Sequence, residues 1–393
     1  MKDLLAAQTL PADGTAGTLV GRAWIPGDPA GPSVVSIRGD GVWDISRAAP
    51  TMSDLLEADD PVAIARGAGT RIGDTAALIA NSVESGRDPK QPWFLAPCDL
   101  QAIKASGVTF VNSLLERVIE EQARGDLTKA DGIRAQINTI IGGDLRAIKP
   151  GSENAMKLKQ MLIERGAWSQ YLEVGIGPDA EIFTKAPSMA AVGTGADIGV
   201  HPMSTWNNPE PEIVLAVNSK GRTVGATLGN DVNLRDVEGR SALLLGKCKD
   251  NNASCAIGPF IRLFDKSYTV DDMRQSEIAL EIKGPEGYTL KGRSSMSEIS
   301  RDPLDIVTHA IGPNHQYPDG LVLFLGTMFA PVEDRDVKGQ GFTHKVGDIV
   351  TIATPTLGAL INRVSTSDKA APWTFGARAL MRNLAARGLL GNR

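Results

Sequence analysis

The stretch Trp206-Asn-Asn-Pro-Glu-Pro-Glu-Ile-Val-Leu-Ala-Val217 sets two glutamates, Glu210 and Glu212, directly ahead of the apolar run Ile213 to Val217. A short, β-branched apolar run of this kind reads as a strand entering a core. Residues i and i+2 of a strand point to one face, so the two carboxylates project together. Like charges beside a core repel each other, and burying them is costly unless a cation compensates. A hard divalent metal, Mg²⁺ in particular, fits carboxylates that share its shell with water and a chelating substrate. The alternative is an exposed edge strand with two solvated acids.

Working outward, the downstream segment Gly229-Asn-Asp-Val-Asn-Leu-Arg-Asp236 supplies Asp231, and Leu245-Gly-Lys247 supplies a lysine. Together with Cys255-Ala-Ile-Gly-Pro-Phe260, this order resembles the fumarylacetoacetate hydrolase family. That family carries a Glu-x-Glu pair, an Asp in a G-N-D turn, and a Lys in a G-K element ahead of a G-P. The resemblance extends upstream to Pro178-Asp-Ala-Glu-Ile-Phe-Thr-Lys-Ala-Pro-Ser188 and downstream to Leu325-Gly-Thr-Met328 and Val346-Gly-Asp-Ile-Val350. It implies that Glu210, Glu212 and Asp231 are metal ligands for Mg²⁺, with Mn²⁺ or Ca²⁺ able to take its place. Lys247 falls on the lysine that reaches into the same site.

Composition narrows the class without choosing within it. A chain of 393 residues with 42% hydrophobic residues can bury one large core and a smaller one. The net charge of −5 gives no basic footprint for nucleic acid. No apolar run reaches the length of a membrane span, and the start Met1-Lys-Asp-Leu-Leu5 lacks a signal-peptide core. Cys98, Cys248 and Cys255 form neither a disulfide framework nor a zinc-like spacing, which points to a reducing, cytoplasmic setting. Gly193-Thr-Gly-Ala-Asp-Ile-Gly199 is one residue too long for a dinucleotide fingerprint.

Residues 1–95 read as a small β-rich N-terminal domain, with strands expected over Thr18 to Ile25 and Val34 to Ile45. The polar, proline-bearing stretch Gly86 to Pro92 is the expected linker to a catalytic domain over 96–393. Apolar periodicity predicts helices over Ser113 to Arg124, Asn154 to Arg165 and Thr374 to Arg387. Strand-like runs broken by glycine fill most of the rest. The order corresponds to an α+β protein, and the resemblance implies that its mixed β-sheet is rolled, with the metal at its mouth. It also implies a homo-oligomer, a dimer or tetramer.

One departure from the family pattern limits the chemistry. Hydrolases of the family carry G-x-N-Y-x-x-H-x-x-E, whose His and Glu activate the water that cleaves a carbon–carbon bond. Here Gly107-Val-Thr-Phe-Val-Asn-Ser-Leu-Leu-Glu116 keeps Glu116 but has Ser113 in the histidine's place. Serine is no base near neutral pH, whereas histidine titrates there. Of the four histidines, His315 and His344 are the ones to consider as substitutes. The branch of the family that dehydrates 2-oxo-3-deoxy sugar acids lacks the dyad and keeps the acids and the lysine. This chain is most similar to that branch, the D-xylonate type above all.

The resemblance therefore implies dehydration of a 2-oxo-3-deoxy-pentonate to 2,5-dioxopentanoate. The route is a metal-stabilised enolate that expels the C4 hydroxyl. Lys247 is the expected proton-transfer group, with a structural ion pair to one of the ligands as the alternative. Glu181 is a second acid–base candidate, with an outer-shell metal acid or a solvated loop acid as its alternatives. Lys185, Ser188, Asn252 and Thr327 are expected to orient the substrate, with turn or capping duty as the alternative for each. Cleavage of an acylpyruvate or 2,4-diketo acid is the competing activity. Neither the exact sugar acid nor the C4 configuration follows from the sequence.

Overall fold

The computed structural model describes residues 1, 5, 8–124, 126, 129, 132, 148–164, 166, 168–329, 331, 333–337 and 341–391, without the side chains of residues 111–113, 115 and 120. Its centre is the strand Pro211–Val217, buried along its whole length. Alternate residues of this strand serve two different cores. Ile213, Leu215 and Val217 pack with Leu280, Ile352 and Leu360. Val214 joins Cys255, Ile257 and Phe324 on the opposite face. A strand buried on both sides needs a continuous apolar run, which Ile213 to Val217 supplies. Each such side chain contributes roughly 1.5–3 kcal/mol when fully buried.

Among the described residues, the larger sheet has eleven strands. Its path runs Thr70–Gly73, Gly41–Asp44, Gly31–Arg38, Leu19–Ile25, Cys255–Leu263, Thr223–Asp231, Pro211–Val217, Leu321–Phe324, Ala102–Ser106 and Ile182–Ala186. Trp93–Leu95 pairs with Leu19–Ile25 off that path. A five-stranded sheet of Thr289–Ser295, Glu277–Lys283, Ile349–Thr354, Gly358–Thr366 and Asp197–Val200 packs over it through the first of these cores. Most pairings are antiparallel. Leu321–Phe324 with Ala102–Ser106 and Gly358–Thr366 with Asp197–Val200 are parallel, so both sheets are mixed as expected for the α+β class.

Register places the acids. Glu212 pairs with Gly229 and Pro211 with Asn230 on the antiparallel neighbour. Glu210 and Asp231, each one residue further along, therefore lie across from one another on the face that also carries Glu212. Gly229 is required here. A Cβ at that position would lie 2.6 Å from Val214 Cγ2 and 2.3 Å from Cε1 at the edge of the Phe324 ring.

The expected boundary near residue 95 coincides with no break in the sheet or the core. Leu19–Ile25 pairs directly with Cys255–Leu263. Leu19 and Phe94 share a cluster with Phe260 and Ile361, and Val20 and Met52 share another with Ala216 and Ile261. The segment expected as one strand over Val34 to Ile45 is two, Gly31–Arg38 and Gly41–Asp44, joined by a tight turn at Gly39-Asp40.

The expected helices appear as Val111–Ala123, Glu153–Glu164 and Ala377–Ala386. The predicted end of the second, Arg165, lies outside the described residues. The first two pack with Gln170–Ile176 around Leu114, Val118, Leu162, Leu172 and Trp206, which sets the helices over the strand ends that carry the acids. No described helix is long and apolar enough to cross a membrane.

Candidate metal and acid–base site

Glu210, Glu212 and Asp231 come together as a buried triad, with one ligand atom from each within 4.8 Å of the others. The backbone closes the arrangement. Asp231 N–H donates to Glu210 O at 3.1 Å, and Asn230 Oδ1 accepts from Glu210 N–H at 3.0 Å. Glu212 accepts from Gly326 N–H at 2.7 Å and from the Thr327 hydroxyl at 3.4 Å. Gly326 has φ 101°, a conformation glycine adopts freely, and a side chain there would collide with Thr109. The Leu325-Gly-Thr327 turn thus serves the second glutamate, which brings Thr327 into the site.

The lysine that reaches the carboxylates is Lys249, not Lys247. Lys249 Nζ lies 2.6 Å from Glu210 Oε2 and 2.9 Å from Asp231 Oδ2, and its side chain is 3% exposed. Lys247 is exposed on the same helix, Leu245–Lys249. Residues two apart on a helix sit about 200° from each other, so one faces in when the other faces out. Leu245 and Cys248 mark the inner side, and Lys249 shares it at i+4 and i+1. That stripe was readable in Leu-Gly-Lys-Cys-Lys.

Lys185 is fully buried, with Nζ 2.8 Å from Asp231 Oδ1. It also donates to the carbonyl oxygens of Val232 (3.2 Å) and Lys249. It thereby ties Asp231 to the Lys249 turn. Arg117, on the helix Val111–Ala123, bridges Glu210 and, at 2.9 Å, Glu238. Neither Arg117 nor Glu238 stands in a motif that marks it in the sequence; only the packing of the helix over the strand ends brings them in.

Ser188 and Asn252 are used elsewhere. The Ser188 hydroxyl donates to Leu100 O at 3.0 Å, and the Asn252 amide donates to the carbonyl oxygens of Ser367 and Ala371, each at 3.1 Å. Both hydrogen-bond to backbone, and neither is among the described residues lining the cleft that holds the triad. Glu116 accepts from Arg235 at 3.1 Å. The side chain of Ser113 lies outside the described residues. His344 is buried beside Asp348, with Nδ1 3.2 Å from Oδ2, and no histidine is among the described residues lining the cleft.

Glu181 sits just ahead of Ile182–Ala186 and lines the same cleft as the triad, Arg117 and Lys249. Burial and the neighbouring Glu238 push its carboxyl up to about 7, against the pull of Lys249 and Arg117. Burial also opposes charge on Glu210, but Lys249 and Arg117 outweigh it and hold that carboxyl at about 2. Glu212, buried against Asp231 and Glu210, is pushed well above the usual carboxylate range. Burial disfavours the Lys249 ammonium, yet Asp231 and Glu210 raise it well above its ordinary value.

These directions describe a site short of positive charge. Ionised, the carboxylates of Glu210, Glu212, Asp231 and Glu238 outnumber Arg117, Lys185 and Lys249 by one, before Glu181 is counted. A divalent cation offsets that excess, and an all-oxygen donor set suits Mg²⁺. The residues fit the metal.

A family model described as the fumarylacetoacetate hydrolase C-terminal domain matches residues 165–365, half of the chain. A 2-dehydro-3-deoxy-D-arabinonate dehydratase of Saccharolobus solfataricus is 31% identical over 189 residues, 48% of this chain and 60% of that protein. A probable 2-keto-3-deoxyxylonate dehydratase of Haloferax volcanii is 31% identical over 196 residues, 50% of this chain and 64% of that one. The chain thus matches less than two thirds of either relative's length. Among solved structures, a 2-keto-3-deoxyarabinonate dehydratase superposes with a TM-score of 0.61 at 22% identity, over 88% of this chain and 99% of that one. A 2-keto-3-deoxy-D-arabinonate dehydratase complexed with magnesium and 2,5-dioxopentanoate gives 0.55 at 21%, with the same coverage. At these identities the likeness concerns the fold.

Proposed function

Because the chain belongs to the fumarylacetoacetate hydrolase family, we propose that it is a Mg²⁺-dependent hydro-lyase converting a 2-oxo-3-deoxy-pentonate to 2,5-dioxopentanoate. The observation that carries this reading is the buried triad closed by Lys249, with Glu181 across the cleft and no histidine among the described residues lining it. The names of the two curated relatives and the product bound in the solved neighbour support the same substrate class.

Glu210, Glu212 and Asp231 would hold the metal. When bound, it supplies Lewis acidity to the 2-oxo acid and stabilises the negative charge that develops when the C3 proton leaves. The protein's own groups account for the proton traffic. Lys249 Nζ, fixed by Glu210 and Asp231, is the candidate proton-transfer group at C3; a divalent cation held by the same carboxylates would offset the charge that keeps its ammonium protonated. Glu181, its carboxyl pushed up to about 7, still carries a proton in a large fraction of molecules at neutral pH and can deliver it to the departing C4 hydroxyl. Water leaves, C3 and C4 become doubly bonded, and loss of a C5 proton with protonation back on carbon turns C5 into the aldehyde. Atoms balance with water as the second product.

The two relatives' sugar names converge. D-Xylonate and D-arabinonate differ only at C2 and C3, and the 2-oxo-3-deoxy form has no stereocentre at either carbon. In the D series both names describe one compound, whose remaining centre is C4. The specificity question is therefore the hand of C4 and the chain length, not xylonate against arabinonate.

Incubating the purified protein and Mg²⁺ with 2-oxo-3-deoxy-D-pentonate should release 2,5-dioxopentanoate, measured as the semialdehyde. The rate should fall as pH rises through about 7, because the acid Glu181 is then deprotonated. Mg²⁺ should raise the melting temperature of the protein but not of Asp231→Asn, since a ligand that binds only the folded state stabilises it. Pyruvate release from acylpyruvates without semialdehyde formation would replace this reading by carbon–carbon hydrolysis.

A further inference from the structure

We propose that Gly107 is a positioning residue for Glu181: the missing side chain at 107 leaves the volume in which the Glu181 carboxyl lies, and this holds the acid inside the cleft. The inference rests on the reading of Glu181 as the proton donor and adds what fixes it there. Ala102–Ser106 pairs with Ile182–Ala186 so that Ser106 meets Ile182. One residue further, Gly107 N–H donates to Glu181 O at 3.2 Å. A Cβ on Gly107 would stand 2.6 Å from Glu181 Cδ, nearer still to Oε2, and 3.4 Å from Cγ. The first two distances are closer than real Cβ contacts come, so one side must move.

The backbone at 107 is the side that cannot. Val108 follows with φ 49°, a left-handed conformation that a β-branched residue rarely adopts, and its side chain is 4% exposed among Leu114, Val118 and Trp206. Thr109 then donates its hydroxyl to Leu325 O at 2.5 Å. Its carbonyl accepts the Ser300 N–H at 2.8 Å and the Ser300 hydroxyl at 2.9 Å. A turn held in a strained conformation from both flanks does not slide by an ångström. The flexible end of Glu181 yields instead, and a methyl at 107 turns the carboxyl out of the cleft. The same turn abuts Gly326, whose N–H holds Glu212.

The test is Gly107→Ala in the Mg²⁺-loaded enzyme, with Glu181→Gln and the double variant alongside. G107A should lower kcat at least about tenfold while KM and the calorimetric Mg²⁺ affinity stay within about twofold, since only a proton donor has moved. It should also flatten the pH dependence. G107A/E181Q should be no slower than E181Q, because both substitutions remove one function. G107A/E181D should regain part of the rate, the shorter side chain clearing the methyl. Wild-type kcat and pH profile in G107A, or losses that multiply in the double variant, would overturn the assignment. A crystal structure of G107A decides it without any substrate: the Glu181 carboxyl must have left its place against residue 107, and finding it unmoved sinks the proposal even if the dehydratase reading stands. Should G107A fail to fold, restoration of folding by Glu181→Asp supports the shared slot, and no restoration overturns it.

Discussion

At the scale of single residues, the site turns on which lysine faces inward. Lys249 contacts two buried carboxylates and Lys247 none of them, so their substitutions should part widely. Lys249→Met should lower dehydration by 10²–10⁴-fold, the usual span for a proton-transferring group, and Lys247→Met should stay within about twofold. Equal losses in steady-state assays would remove Lys249 from the role. Family order pointed to Gly246-Lys247, whereas helical geometry selects the second lysine of Leu-Gly-Lys-Cys-Lys. The acids were legible because strand periodicity acts over two residues. Arg117 and Glu238 were not, because Arg117 reaches Glu210 from a helix some ninety residues earlier in the chain and Glu238, on a short helix after the Asp231 strand, enters only through Arg117.

At the scale of elements, the pair Pro211–Val217 and Thr223–Asp231 sets the distance between metal ligands through its register. A one-residue slip would turn every acid to the other face. Gly229, opposite Glu212, lets Phe324 pack across the pair. Gly229→Ala should therefore cost about 1–3 kcal/mol through overpacking and also weaken Mg²⁺ binding, because the strands must part where the ligands meet. Denaturant unfolding together with calorimetry measures both. Loss of stability with unchanged Mg²⁺ affinity would show that register and ligand spacing are independent.

At the scale of the molecule, the first ninety-five residues complete the sheet that carries the ligands. Removing them would bare the edge of Cys255–Leu263, a strand buried at every position. An unpaired apolar edge invites association. The piece 96–393 should then be insoluble or aggregated by size-exclusion chromatography. A monodisperse, Mg²⁺-binding fragment would instead establish the domain boundary expected from the polar stretch at Gly86 to Pro92. Composition reports exposure and turn content, whereas strand partners as distant in the chain as Leu19 and Arg262 leave no trace in it.

The sequence by itself determined the strand bearing Glu210 and Glu212, the acid Asp231, the α+β class and the loss of the histidine dyad. These rest on local periodicity and on motifs whose spacing is short. The tertiary structure decided which lysine closes the site, that Lys185 anchors Asp231, that Ser188 and Asn252 bind backbone instead of lining the cleft, and that Gly107 leaves room for Glu181. Each of those depends on which distant surfaces meet, and burial, not residue type, then sets what the charged groups can do.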